Sequence, residues 1–275
     1  MTQALTQEAM HEELDAILEG AKHVSIQQRR LGVVAELLAN ELRNGQDHQG
    51  DPGSHPDETL PENDLDTLQF FLVAASQHFC IWRRNEVSGR PEAWDTQISG
   101  SIFTGGRGIM ASLVRALREG DDLLDPEYLM ALDLKGVERL YRDERGGAPS
   151  LQLLDQRLAK FNEIGRVLAH TYGGRASSVF EKADGRLYRD DGNGFVQRLS
   201  VDFPVSYYDW PFCKLAILVA KWASARNTLS IPTTSQYQGL TRFDSVEFEV
   251  AADYYIPLFL IRVGILEVSE SFAER

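Results

Sequence analysis

The sequence predicts one mostly α-helical domain with at most a short β-hairpin, and three observations support this. Apolar residues recur at three- and four-residue steps in most segments outside the loops. Several of these segments start beside a proline or aspartate, or stop at a glycine, as helices do. Alternation of polar and apolar residues, the pattern of a strand, is rare. The 275 residues also show no repeat of fixed period, so a single helical domain is expected.

The domain is predicted to have three parts along the chain. Residues 1–44 read as N-terminal helix, with an apolar stripe over residues 26–42. Residues 45–63 contain glycine and proline and almost no apolar side chain, so we expect a mobile surface loop there. Residues 64–275 should form the core of the domain.

Within that core, helix patterns strongly outnumber strand patterns. The apolar run at the start suits a buried helix that turns to strand at its end. Gly120 and Gly173 are natural helix stops, whereas Asp133 and Pro149 are natural starts. The predicted helices cover residues 65–82, 108–119, 134–142, 150–172, 211–225 and 254–268, and a hairpin is predicted over 186–199.

The net charge of the chain argues against nucleic acid as a partner. Lys and Arg total 28 against 41 Asp and Glu, for a net charge of −13. Such a chain repels phosphate backbones, so no nucleic-acid polymer is expected as a partner. The N-terminus is acidic, unlike a signal peptide, and the chain has only two cysteines, so we expect a cytoplasmic protein. No apolar run reaches about 20 residues, so no membrane partner is expected.

No cofactor or metal site is expected. The six histidines form no H-E-x-x-H motif and no cysteine pairs accompany them. The glycines at 105, 106 and 108 precede a helix, but the Lys-Ser/Thr of a phosphate-binding loop does not follow them. A turn into a helix is the favoured interpretation.

Lys214 stands out in the aromatic-rich segment 203–222, because it interrupts an apolar helix. Lysines placed in this way are often functional, although the side chain can also extend to solvent harmlessly. The neighbouring aromatic residues can stack on a flat heterocycle or simply pack in the core. The residues alone leave both alternatives open.

Asp253 is a carboxylate in an apolar segment that ends at Pro257. It is either a reactive group or a helix cap, and on local pattern alone the cap is slightly favoured. Asp244 starts a D-x-x-E pattern, for which capping is the better interpretation.

Several segments match those of one known family in order and spacing. They are H-V-S-I…V-V-A-E-L-L at 23–38, Q-H-F-C-I-W at 77–82, L-V-R-A-L-R-E-G at 113–120, R-L-A-K-F-N-E-I-G-R-V-L at 157–168, F-C-K-L-A-I-L-V-A at 212–220 and F-D-x₈-D-Y-Y-I-P at 243–257. From about residue 23 to 270 the chain thereby resembles the queuosine-salvage proteins, the queuosine 5′-phosphate N-glycosylases or hydrolases.

The resemblance implies a helical fold similar to the helix-hairpin-helix DNA glycosylases and hydrolysis of an N-glycosidic bond, which releases the 7-deazaguanine base queuine. The substrate is then a small nucleotide or nucleoside. The family's catalytic aspartate and lysine align with Asp253 and Lys214. A carboxylate suits the oxocarbenium-like transition state, and Lys214 either assists departure of the base or positions Asp253. For the substrate pocket we select Phe79, Trp82, Tyr207 and Tyr254.

Two of the chain's departures from the family fall beside Asp253. Tyr255 and Leu258 stand where the family usually has Arg and Gln. A cation that would meet a 5′-phosphate is therefore missing from that motif. A nucleoside substrate, and a non-catalytic or altered-specificity deazapurine-binding protein, remain as alternatives. The oligomeric state and the choice between a covalent intermediate and direct hydrolysis stay open.

Overall fold

A helix that is apolar on every side lies at the centre of the fold. In the computed structural model, which describes residues 5–43, 61–85, 88–228, 233–244 and 255–273, this helix is α3, Asp64–Ser76. Asn63 caps it by accepting a hydrogen bond from the Leu65 N–H at 2.9 Å. Its side chains from Thr67 to Ser76 are buried, as expected of a helix without a polar face.

Thirteen other α-helices are described. They are α1 Gln7–Glu19, α2 Gln28–Arg43, α4 Gly106–Arg118, α5 Pro126–Ala131, α6 Leu134–Leu140, α7 Leu154–Thr171, α8 Ser177–Ala183, α9 Phe195–Asp202, α10 Pro204–Tyr207, α11 Lys214–Ala225, α12 Ser235–Thr241, α13 Tyr255–Arg262 and α14 Glu270–Ala273. Helix α11 packs against α3 and α9, and α7 packs against α5, α6 and α10.

Close backbone approach brings α5 and α7 together. A Cβ atom at Gly165 of α7 would lie 2.5 Å from the Pro126 carbonyl oxygen and 2.8 Å from the Met130 nitrogen. Since no side chain fits in that space, glycine is what lets the two helices meet at this distance.

Three small antiparallel sheets complete the described structure. β1 (Val24–Ile26) pairs with β6 (Leu266–Val268), β2 (Trp82–Arg84) with β3 (Pro91–Ala93), and β4 (Asp95–Ile98) with β5 (Ser101–Thr104). The first of these joins the two ends of the described chain. The sequence predicted at most one short hairpin, so that part of the prediction was wrong, although the mostly helical class is confirmed.

The hairpin predicted over 186–199 was also wrong. Instead, the chain turns and enters α9 at Phe195. The Gln197 carboxamide oxygen accepts hydrogen bonds from the N–H groups of Gly194 at 2.7 Å and Arg189 at 2.8 Å. These backbone N–H groups therefore bond to a side chain at the start of a helix, and not to the carbonyls of a paired strand.

Other boundaries differ in ways that the structure explains. The N-terminal helix is interrupted by β1, which pairs with a strand about 240 residues away. The last predicted helix stops at Arg262 and continues as β6 for the same reason. Helix α7 begins at Leu154, after a left-handed Leu153, and not beside Pro149. Most of the predicted loop 45–63 lies outside the described residues.

Several start and stop signals are confirmed. Asp133 accepts a hydrogen bond from the Gly136 N–H at 2.7 Å and starts α6. Gly120 and Gly173 follow their helices with φ of 96° and 61°. Gly105, with φ of 59°, turns the chain into α4, which confirms the turn into a helix that was predicted for the glycine-rich segment. Within the described ranges, no helix combines the length and the hydropathy that crossing a bilayer requires.

Candidate active site

Lys214 is the first residue of α11, and a tight turn places it there. The N–H groups of Phe212 and Cys213 donate to the Asp209 carbonyl, and Cys213 adopts a left-handed φ of 47°. The Asp209 carboxylate then accepts a hydrogen bond from the Lys214 backbone N–H, with 2.9 Å from Oδ2 to N. The partly buried Lys214 side chain extends to the end of α3, where Nζ donates to the His78 carbonyl at 3.1 Å.

The segment after α3, residues 77–80, is held by a wholly buried arginine from α7. Arg157 donates to the carbonyls of Gln77 and Phe79 at 2.7 Å each, to Cys80 at 3.1 Å and to Gln152 at 3.0 Å. Its guanidinium carbon lies 4.4 Å from the centroid of the Phe79 ring. These contacts fix the position of Phe79 and of the carbonyl that Lys214 contacts.

A second cation from α7 lies over the same ring. Lys160 Nζ is 4.8 Å from the Phe79 centroid and donates to the carbonyls of Val205 at 2.9 Å and Ser206 at 2.8 Å. One turn further along, the buried Glu163 carboxylate accepts from the N–H groups of those same two residues at 2.9 and 2.7 Å. Burial lowers the pKa of Lys160 to about 8, although Asp209 and Glu163 act to raise it.

Asp209 lies close to both lysines. Burial raises the pKa of its carboxyl, whereas the Lys214 N–H bond and the Lys160 and Lys214 ammonium groups lower it. Its Oδ1 atom is buried and has no hydrogen-bond partner in the described part of the chain. We call Arg157, Lys160, Asp209 and Lys214, with Phe79, the 79/214 cluster. A cluster of charged groups partly removed from water can interact strongly with a charged or polar ligand.

The structure brings Phe79 and Lys214 into this cluster, but it separates the other aromatic residues selected from the sequence. Trp82 lies in β2 with 38% of its surface exposed. Tyr207 is fully buried and donates its hydroxyl hydrogen to the Leu72 carbonyl, so in this structure it belongs to the core. Its part in substrate binding stays a prediction.

Asp253 and Tyr254 lie outside the described residues, so the pairing of Lys214 with Asp253 also stays a prediction. Tyr255 is described only as the first residue of α13. Asp244 ends a described range, and its predicted capping partners follow it outside that range.

Sequence reasoning missed Arg157, Lys160 and Asp209. A signal for two of them is present, since Arg157, Lys160 and Glu163 follow one another at three-residue steps and so share one face of α7. Charged residues aligned beside the buried Phe161 and Ile164 indicate a polar contact inside the fold. Among the described residues, no three His, Cys, Asp or Glu side chains form a group suited to a metal ion.

Comparison with known proteins places most of this chain in one family. A family model described as queuosine salvage protein matches residues 55–275. The queuosine 5′-phosphate N-glycosylase/hydrolase of Nematostella vectensis is 23% identical over 281 residues, which covers 94% of this chain and 71% of the relative. The proteins of the same name from Sphaerobacter thermophilus and Schizosaccharomyces pombe are 27% and 26% identical, and the chain spans 59% and 61% of their lengths.

Proposed function

The chain belongs to the queuosine salvage protein family, and on this basis we propose that it hydrolyses the N-glycosidic bond of queuosine 5′-phosphate. The observation that carries the proposal is the family match, which includes both Lys214 and Asp253. Water adds across the bond between C1′ and the base nitrogen. The hydroxyl goes to C1′ and the proton to the base, so the products are queuine and ribose 5-phosphate.

Asp253 is proposed to face C1′ of the ribose. As the glycosidic bond breaks, positive charge develops on C1′ and the ring oxygen, and a carboxylate there stabilises it. The same carboxylate can direct the water or attack C1′ itself. Asparagine lacks the charge, so it cannot replace aspartate in either role.

Lys214 is proposed to act on the base or on Asp253. A 7-deaza base has no N7 to protonate, so its departure needs a hydrogen bond elsewhere on the ring. The place of Lys214 in the 79/214 cluster supports this proposal, since its Nζ lies at the surface of the segment that carries Phe79. Phe79, Trp82, Tyr207 and Tyr254 are proposed to form the rest of the pocket, by stacking or hydrogen bonding.

We expect the helical body to resemble the helix-hairpin-helix glycosylases, and the protein to act in the cytoplasm within queuosine salvage for tRNA modification. The net charge of −13 supports a free nucleotide as substrate in preference to a base inside a nucleic acid.

A second candidate is a deazapurine-binding protein without the hydrolytic activity or with altered specificity. Tyr255 and Leu258, at positions where the family usually has Arg and Gln, favour it. A ligand-induced rise in melting temperature without product would distinguish binding from turnover.

The test is release of queuine from queuosine 5′-phosphate by the purified protein, measured by mass spectrometry. Asp253→Asn should abolish release at an unchanged melting temperature. Turnover that survives in Asp253→Asn would exclude the role of this aspartate. If Asp253 is only a helix cap, Asp253→Asn should instead be mild in both the stability and the activity assay, because asparagine caps a helix about as well as aspartate does.

A further inference from the structure

The 79/214 cluster is locally cationic in a strongly acidic chain. Three of its side chains are positive, and Asp209 and the adjacent Glu163 are negative. Each carboxylate is already engaged, Glu163 by two backbone N–H groups and Asp209 by the Lys214 N–H. Together, the three cations and the two carboxylates carry a net charge of one positive unit, although the net charge of the whole chain is −13.

Lys160 is the cation best placed to receive a ligand. Arg157 is wholly buried and donates to four carbonyls, whereas Lys160 and Phe79 are only partly buried. Two of the three Lys160 N–H bonds are directed to the Val205 and Ser206 carbonyls. The ammonium has a third N–H bond that can be donated to a ligand. A desolvated ammonium is stabilised more strongly by an anion than an ammonium in water is.

We propose that Lys160 binds the anionic end of the substrate, the 5′-phosphate of a nucleotide, at a subsite between α7 and the segment 205–206. This inference rests on the proposed function and extends it from the bond that is cleaved to the group that selects the substrate. Lys160 is a binding residue in this role and takes no part in the chemical step. It makes a phosphorylated nucleoside the preferred ligand over the free nucleoside.

Burial first, and then the neighbouring charges, set the pKa of Lys160 and so the pH at which it is charged. Asp209 and Glu163 favour its ammonium, and Arg157 disfavours it. With a pKa of about 8, Lys160 loses its charge as the pH rises through that value. The affinity for a phosphate should fall over the same range, and the affinity for an uncharged ligand group should not.

The experiment compares queuosine 5′-phosphate with queuosine in the full chain and in Lys160→Met. We expect the KM for the nucleotide to rise about 10- to 100-fold, because one charge-assisted hydrogen bond is lost. The KM for the nucleoside should stay the same. Lys160→Arg should recover most of the affinity and, because guanidinium stays charged, should remove the rise of KM above about pH 8.

Lys182→Met is the matched control. Its ammonium also lies over an aromatic ring, 4.4 Å from the Tyr172 centroid, and donates to a carbonyl, that of Thr171, at 3.2 Å. Since Lys182 is on α8 and outside the cluster, its substitution should change neither KM. Melting temperatures of all variants report whether each one folds.

An equal change in both KM values, or none in either, would overturn the proposal and leave Lys160 as a clamp between α7 and residues 205–206. If the native protein cleaves neither compound, the proposed function fails. Titration calorimetry with queuosine 5′-phosphate and with inorganic phosphate then tests the phosphate subsite independently of turnover. Weaker binding to Lys160→Met then supports the subsite. No difference between the two proteins, including no binding by either, overturns it.

Discussion

Asp209 accepts a hydrogen bond from the backbone N–H of Lys214, with 2.9 Å between Oδ2 and N. One carboxylate thus fixes the first turn of α11 and at the same time contributes negative charge beside Lys160 and Lys214. These two effects can be separated, because asparagine retains an oxygen that accepts the hydrogen bond and lacks the charge.

The first prediction concerns the pH dependence of ligand binding in Asp209→Asn. Asp209 raises the pKa of Lys160, so removing its charge should move that pKa below about 8. The KM for queuosine 5′-phosphate should then begin to rise at a lower pH than in the native protein. A KM–pH profile measures this, and an unchanged profile would show that Asp209 acts only as a hydrogen-bond acceptor.

The same variant tests the cost of burying the carboxylate. Burial raises the pKa of Asp209, so the folded state binds the proton more tightly than the unfolded state does. The native protein should lose stability as the pH rises from the ordinary aspartate value of about 3.9 through the raised one. Asp209→Asn should therefore melt higher than the native protein at neutral pH, and the difference should disappear in acid.

Arg157→Met should destabilise the fold by about 2–4 kcal/mol, because four carbonyl groups lose their buried donor. The free energy of unfolding in urea measures this. Arg166→Met is the control on the same helix. Arg166 is exposed, and its substitution should change stability by no more than about 0.5 kcal/mol. Equal effects of the two substitutions would contradict the role given to Arg157.

Gly165→Ala should destabilise the protein by about 1–3 kcal/mol, since its Cβ would meet backbone atoms of α5 at 2.5 and 2.8 Å. Gly32→Ala is the opposite case. In α2 nothing lies within 4 Å of the added Cβ, so alanine should raise stability by up to about 1 kcal/mol. Thermal or urea unfolding of the pair gives the comparison, and opposite signs are expected.

Lys214→Met should lower the turnover of both queuosine 5′-phosphate and queuosine by about 10²- to 10⁴-fold, the range for loss of a general acid–base group. This differs from Lys160→Met, for which only the nucleotide KM should change. Lys221→Met, two turns further along α11, should leave turnover unaltered. If Lys214→Met turned over both substrates normally, its catalytic role would be excluded.

Local pattern was a good guide to the helices. The apolar run after residue 63, the Asp133 cap and the glycine stops all predict elements that the structure contains, because each signal acts within one or two turns. The small sheets were missed for the opposite reason. β1 and β6 are three residues each, and only the pairing of one with the other stabilises them.

The sequence by itself determined the helical class and the family, because these follow from short motifs and their order. That Lys214 and Asp253 carry the chemistry stays a prediction from the same motifs. Tertiary structure alone decided that Arg157 and Lys160 meet Phe79, and that Asp209 lies beside both lysines. These residues come from separate helices and loops. They meet only because α7 packs against α10 and Arg157 donates to the carbonyls that follow α3, and no local pattern specifies such contacts.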